Sequence, residues 1–130
     1  MKKATFVIIG VLIIAFGIIA LKSNNNTPAQ SSSMSFAAVQ SDVSSGAKLY
    51  DVRTNQEYAS AHFENAENWS LQDMQAGKLP EVPKTTKIYV YCQSGNRSSQ
   101  AARLLKDAGF SNVTDLGGLQ DVQKIGGKLQ

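Results

Sequence analysis

The chain has 130 residues, with 13 Lys+Arg against 10 Asp+Glu and a net charge of +3, a length that holds one domain of ordinary size rather than two. The excess charge comes from Lys2, Lys3 and Lys22; from residue 23 onward basic and acidic residues balance at 10 each, which removes the footprint expected of a nucleic-acid-binding protein. One Cys and one His exclude an intrachain disulfide and are too few for a self-contained zinc site, so no metal is expected, and nothing in the chain implies an organic cofactor.

Residues 4–21 form an uncharged run of 18, of which 15 are apolar, preceded by Lys2 and Lys3. As a helix at 1.5 Å per residue this run spans about 27 Å, close to the roughly 30 Å of a bilayer core. Lysines before the run favour a cytoplasmic N-terminus and an exported remainder. The expectation is a signal-anchor helix over residues 1–22, with a single membrane pass and an extracytoplasmic C-terminal domain. A cleaved signal peptide, leaving an exported soluble domain, is the alternative; the run exceeds the ~7–15 residues of a signal h-region. Residues 23–35, SNNNTPAQSSSMS, are polar and aperiodic and read as a flexible linker.

The globular part is expected over residues 36–130. Three short runs rich in β-branched and aromatic residues predict strands at 48–52 (KLYDV), 87–91 (KIYVY) and 112–116 (NVTDL). Helical patterns separate them. Thr54 and Glu57 have the spacing of a capping box and predict a helix over 55–61. Ala101, Leu104, Leu105 and Ala108 make one apolar stripe over 97–108, with Gly109 as the stop. Gly117 and Gly118 open a last helix over 119–125. Strands alternating with helices imply an α/β fold with a mainly parallel sheet covered on both faces, where ligands sit beyond the carboxyl ends of the strands.

Cys92 occupies that position on the KIYVY strand. The segment CQSGNRSS (92–99) leaves a strand and enters a helix, and Gly95 permits a positive-φ turn that points successive N–H groups at one centre. The positive end of the following helix faces the same centre. A thiol there is expected to ionise readily and to act as a nucleophile. The bland reading is an inert buried thiol; the strand, the Gly-bearing loop, the Arg and the helix start together argue against it.

DVRTNQEYASAH (51–62), CQSGNRS (92–98) and DLGGLQDV (115–122) together resemble the three marker segments of rhodanese-like sulfurtransferases, in the same order. The resemblance implies a three-layer rhodanese-like domain in which Cys92 is the catalytic nucleophile and carries sulfur as a persulfide. It implies an anion cradle from Gln93, Ser94, Gly95, Asn96 and Arg97, with Arg97 also stabilising donor or persulfide charge. Supporting roles fall to Asp51 and Arg53 as a structural pair and to His62 as an orienting or packing residue. Glu57 is explained by the capping box, and Trp69, Tyr89 and Tyr91 as core or pocket wall. Implied partners are a small sulfur donor, thiosulfate or a persulfide, a cyanide or thiol acceptor, and a thiol-redox partner protein. Arg97 stands five residues after Cys92; the phosphatases and arsenate reductases that share this fold have a wider C-x-x-x-x-x-R cradle, so the loop favours sulfur over phosphate.

Two departures bear on function. In residues 61–70, AHFENAENWS, two glycines and two prolines of the family pattern are replaced, which keeps open a catalytically weak module that binds a partner or senses redox state. Gln93 stands where many thiosulfate-using members have Arg, which removes a cation from the mouth of the pocket.

Overall fold

The computed structural model describes residues 33–130, so the expected anchor and most of the expected linker lie outside the described residues. Among the described residues no helix is long and apolar enough to cross a membrane. In chain order the elements are α1 (Phe36–Ser44), β1 (Lys48–Asp51), α2 (Asn55–Ser60), β2 (Glu67–Asn68), α3 (Leu71–Gln75), β3 (Ile88–Tyr91), α4 (Asn96–Asp107), β4 (Val113–Gly117) and α5 (Leu119–Lys124).

The four strands form one parallel sheet in the order β2-β1-β3-β4. All four residues of β3 are buried, as the central position demands. Side-chain alternation sorts them between two cores. Ile88 and Val90 join Tyr50, Val52, Leu71, Met74, Ala101, Ala102, Leu105 and Phe110 on the face covered by α3 and α4. Tyr89 and Tyr91 join Phe36, Val39, Leu49, Phe63 and Val122 on the face covered by α1 and α5. Each fully buried large apolar side chain contributes about 1.5–3 kcal/mol, so a sheet loaded on both faces holds the frame. Cys92 continues the Ile88–Val90 parity and belongs to the first core.

The expected α/β architecture and all three expected strands are present, shifted by a residue at their ends. Three elements were not expected. In α1, the Ser35 hydroxyl accepts from Ala38 N–H, and Phe36 and Val39 supply the buried face. In α3, Ser70 caps by accepting from Asp73 N–H at 3.2 Å, with Leu71 and Met74 buried. The third, β2, is a two-residue edge strand paired with Tyr50 and Asp51.

Between Val90 and Tyr91 the β3–β4 register slips, so that Tyr91 lies opposite Gly117 rather than Leu116. This irregularity brings the Gly117–Gly118 turn beneath the segment that leaves β3.

Candidate active site

The loop after β3 is held from below by backbone. Cys92 N–H donates to Gly117 O at 3.0 Å, Leu119 N–H donates to Gln93 O at 3.2 Å, and Ser94 bridges to Gly118. Close approach, not conformation, requires glycine at 118: a Cβ there would lie 2.8 Å from Gln93 O and 3.0 Å from Ser94 Cα. Gly95 does need its conformation, with φ +97° at the N-cap of α4.

Cys92 Sγ lies inside this turn and the residue is 0% exposed. Gly95 N–H donates to Sγ at 3.0 Å. The thiol in turn donates to Ser98 Oγ at 3.5 Å, while the Ser98 hydroxyl has Gly95 O at 3.1 Å and Gly117 O at 3.3 Å as its own acceptors. Burial pushes the thiol up, but the Ser98 side chain and the amides of Ser98, Gly95 and Ser94 outweigh it, and the net shift is downward. The sulfur-facing groups are thus Ser94, Gly95 and Ser98. Gln93, Asn96 and Arg97 are brought to the same loop.

Two buried or half-buried ion pairs hold the loop's surroundings. Asp51 at the end of β1 is 0% exposed in its side chain and accepts from Arg53 Nη2 at 2.7 Å, Arg53 Nε at 3.0 Å, Arg53 N–H at 2.9 Å and Tyr91 Oη at 2.9 Å. Arg53 also donates to Ala61 O at 2.6 Å and, through Nη1, to Gln93 Oε1 at 3.4 Å. Asn68 Nδ2 donates to the carbonyls of Asp51 and Arg53, each at 3.0 Å. The structural pairing expected of Asp51 and Arg53 is therefore present, extended by Tyr91 and Asn68.

The second pair gives Arg97 and Glu57 a partner that neither expectation named. Arg97 directs its guanidinium to Glu57, Nη1 to Oε2 at 2.7 Å and Nη2 to Oε1 at 2.8 Å, and its charge also couples to Cys92. Glu57 completes the capping box, accepting from Thr54 N–H at 3.0 Å, yet its carboxylate also anchors α4, the helix that the Cys92 loop enters. The box alone does not explain Glu57. The Arg97 hydrogen bonds hold its carboxyl down at about 2.

His62 stacks on Tyr58, ring centroids 4.0 Å apart, with Nδ1 2.9 Å from Tyr58 O. It packs at the margin and makes no hydrogen bond to the Cys92 loop. The altered segment around it is well formed: Asn65 takes φ +60°, a left-handed conformation that Asn tolerates, and Phe63 is fully buried. Among the described residues no group of three His, Cys, Asp or Glu gathers as metal ligands. A cavity of about 300 Å³ opens beside the loop, lined by Gln93, Ser94, Gly118, Leu119, Gln120 and Asp121.

The sequence of the rhodanese-like domain family matches over residues 35–124. The chain is a member of that family. It is 34% identical over 73 residues to the thiosulfate sulfurtransferase PspE of Escherichia coli, covering 55% of this chain and 70% of that one. It is 40% identical over 72 residues to the adenylyltransferase and sulfurtransferase uba4 of Ogataea parapolymorpha, of whose length it spans only 18%. Among solved structures, the rhodanese-like domain of the Alr3790 protein of Anabaena superposes with a TM-score of 0.58 at 33% identity, over 65% of this chain and 98% of that one. In this rhodanese-like domain, sequence reasoning gave Tyr91 only as core or pocket wall and Gly118 only as a helix start, and it assigned no role to Ser98 or Asn68. Only Ser98 had a local signal, as a hydroxyl in the first turn of the helix that the loop opens.

Proposed function

We propose that this rhodanese-like domain is a sulfurtransferase that carries sulfane sulfur as a persulfide on Cys92. The observation that carries the reading is the Gly95 N–H 3.0 Å from Cys92 Sγ, at the head of a twelve-residue helix. The Cys92 thiolate attacks the outer sulfur of a donor; the new S–S bond forms as the donor's S–S bond breaks and the remainder leaves with the electron pair. Thiosulfate releases sulfite and an alkyl persulfide releases a thiolate. Cyanide or a thiol, free or on a partner protein, then attacks the outer sulfur and returns Cys92 to the thiolate. Throughout, the Ser94, Gly95 and Ser98 amides face negative charge, and the Ser98 hydroxyl can turn from its carbonyl acceptors to donate to the thiolate. Residues Gln93, Asn96 and Arg97 shape the mouth; Asp51, Arg53 and His62 support it.

The test is intact mass of the folded protein after exposure to thiosulfate or an alkyl persulfide. The expected result is a gain of one sulfur atom, absent in Cys92→Ser and removed by cyanide or thiol. A folded protein that gains no sulfur from any donor overturns the reading. One observation favours a second one, a partner-binding or redox-sensing module: Cys92 is fully buried, so a donor must displace covering atoms to reach Sγ.

We also propose that residues 4–21 tether the domain to a membrane with its C-terminus exported, supported by the uncharged run after Lys2 and Lys3. A reporter that works only after export, fused after Gln130, should be active; activity of a cytoplasm-only reporter there would refute the orientation.

A further inference from the structure

The two guanidiniums that flank the Cys92 loop are each bound to a carboxylate: Arg53 to Asp51 at 2.7 Å and Arg97 to Glu57 at 2.7 Å. Each is therefore largely neutralised by its partner, although the Arg97 charge still couples to Cys92. The cavity beside the loop has its own electrostatics. Gln93 is neutral there, and because its Oε1 accepts from Arg53 Nη1 at 3.4 Å, its carboxamide N–H groups are the ends left for a ligand. The one charged group in the lining is Asp121. Its Oδ2 accepts from Gly118 N–H at 2.9 Å, which fixes the carboxylate at the cavity wall. Lys124 lies 3.6 Å from Oδ1, and both side chains are largely exposed, 74% and 52%, so water screens the pair and the effect of Asp121 on a donor depends on salt. A thiolate on Cys92 adds a second negative charge to a site that otherwise holds matched pairs.

Resting on the Cys92 persulfide reading, we propose that this cavity receives the leaving portion of the donor and selects alkyl persulfides whose organic part is uncharged or bears an ammonium. Dianionic thiosulfate and carboxylate-bearing persulfides are disfavoured. For a preferred donor the step is R–S–SH + Cys92–S⁻ → Cys92–S–SH + R–S⁻: one S–S bond forms, one breaks, and the leaving thiolate takes the electron pair. The ammonium of R then faces Asp121. With thiosulfate, sulfite must leave carrying two negative charges past the same carboxylate.

The experiment measures the second-order rate of sulfur loading on the full chain by intact mass. The donors are the persulfides of cysteamine and 3-mercaptopropionate, similar in length and opposite in charge, together with thiosulfate, and each rate is divided by that donor's rate with a small free thiol so that leaving-group basicity cancels. At low salt the cysteamine persulfide should load about three- to tenfold faster than the carboxylate one, and the ratio should fall toward unity as salt is added. Asp121→Asn should bring the ratio toward unity without added salt. Gln93→Arg should raise the thiosulfate rate about tenfold relative to the cysteamine persulfide. Equal loading of the two matched persulfides at low salt in the unaltered chain overturns the selection, as does a ratio that Asp121→Asn leaves unchanged. Both outcomes leave Cys92 loading intact. Absence of loading from all three donors instead overturns the persulfide reading, and this inference with it.

Discussion

Arg97 and Glu57 form a two-pronged ion pair across forty residues of sequence, with contacts of 2.7 and 2.8 Å, that ties the first turn of α4 to the first turn of α2. Because the Cys92 loop runs directly into α4, this pair fixes where the loop's helix end lies. The guanidinium thus holds a position through Glu57 as well as coupling by charge to Cys92. Both side chains are about one-third exposed, so the pair's coupling is discounted to about 1 kcal/mol.

The direct-contact and positioning roles of Arg97 separate in a double-mutant cycle. Arg97→Ala and Glu57→Gln should each slow sulfur loading by about tenfold, and the double substitution should cost little beyond the larger single one. Loss should be similar for anionic and cationic donors. If Arg97→Ala harms anionic donors alone while Glu57→Gln does nothing, the guanidinium touches the donor. The same pair sets a pH signature. The Glu57 carboxyl sits at about 2 in the folded chain against an ordinary 4.5, so its stabilisation is complete above pH 4.5 and is lost as pH falls toward 2. Urea unfolding should find Glu57→Gln about 1 kcal/mol less stable at neutral pH, with the difference closing across that acid window.

The Asp51–Arg53 pair has a different character because it is buried. Removing one partner leaves the other charge without compensation, at a cost of about 3–5 kcal/mol. Asp51→Asn and Arg53→Met should each lose stability of that order, and the double variant should lose less than their sum. Tyr91→Phe removes the hydroxyl that donates to Asp51 at 2.9 Å and accepts from Phe63 N–H at 3.2 Å, and should cost about 1–3 kcal/mol. Chemical denaturation of the four proteins decides this; additive losses would mean that the two charges do not depend on one another.

What the sequence made legible follows from the range of the forces involved. The β3–loop–α4 unit was readable because every part of its signal is local: β-branched and aromatic residues in the strand, Gly95 at the turn, and an apolar stripe in the helix. The Thr54–Glu57 box was readable for the same reason, and that local sufficiency hid the second duty of Glu57, whose partner lies far along the chain. The strand β2 has two residues and no pattern of its own; it exists because Asn68 ties the Asp51 and Arg53 carbonyls. The helix α1 is fixed from outside, by Phe36 N–H donating to Ile125 O at 2.7 Å. The altered 61–70 segment looked degraded, yet Asn65 adopts the left-handed turn and Phe63 fills the core, so the substitutions keep the shape.

Ser98 is the test of how the thiolate is favoured. Its side chain leads the groups that oppose the upward push of burial on the Cys92 thiol. Ser98→Ala should therefore raise the thiol's apparent pKa, and titration of the thiolate's ultraviolet absorbance should show the inflection move to higher pH. Sulfur loading below the inflection should slow by about three- to tenfold, since a smaller fraction of the cysteine is ionised. Above it the two proteins should converge. An unmoved inflection would assign the low pKa to the amides and the α4 terminus alone.

Gly118 tests whether the loop must be pressed against the β4–α5 turn. Its backbone is ordinary, with φ −88° and ψ 177°, so alanine meets no conformational penalty there. The conflict is steric: the added Cβ would lie 2.8 Å from Gln93 O and 3.0 Å from the Ser94 Cα and carbonyl carbon, all backbone atoms that no rotamer can move. The turn must separate from the loop, which weakens the Leu119 N–H to Gln93 O bond and shifts Ser94 and Gly95 relative to Sγ. Overpacking of this kind costs about 1–3 kcal/mol of stability. Catalysis should suffer more than stability does, because a displacement of a few tenths of an ångström at the Gly95 N–H is felt directly by the sulfur charge. Gly118→Ala should remain folded, lose at least about tenfold in loading rate, and show a raised thiol pKa. Gly126→Ala is the control for adding a methyl group, since a Cβ there meets nothing within 4 Å and only its φ of +105° is strained. If Gly118→Ala loads sulfur as fast as the unaltered chain, the loop does not depend on that contact.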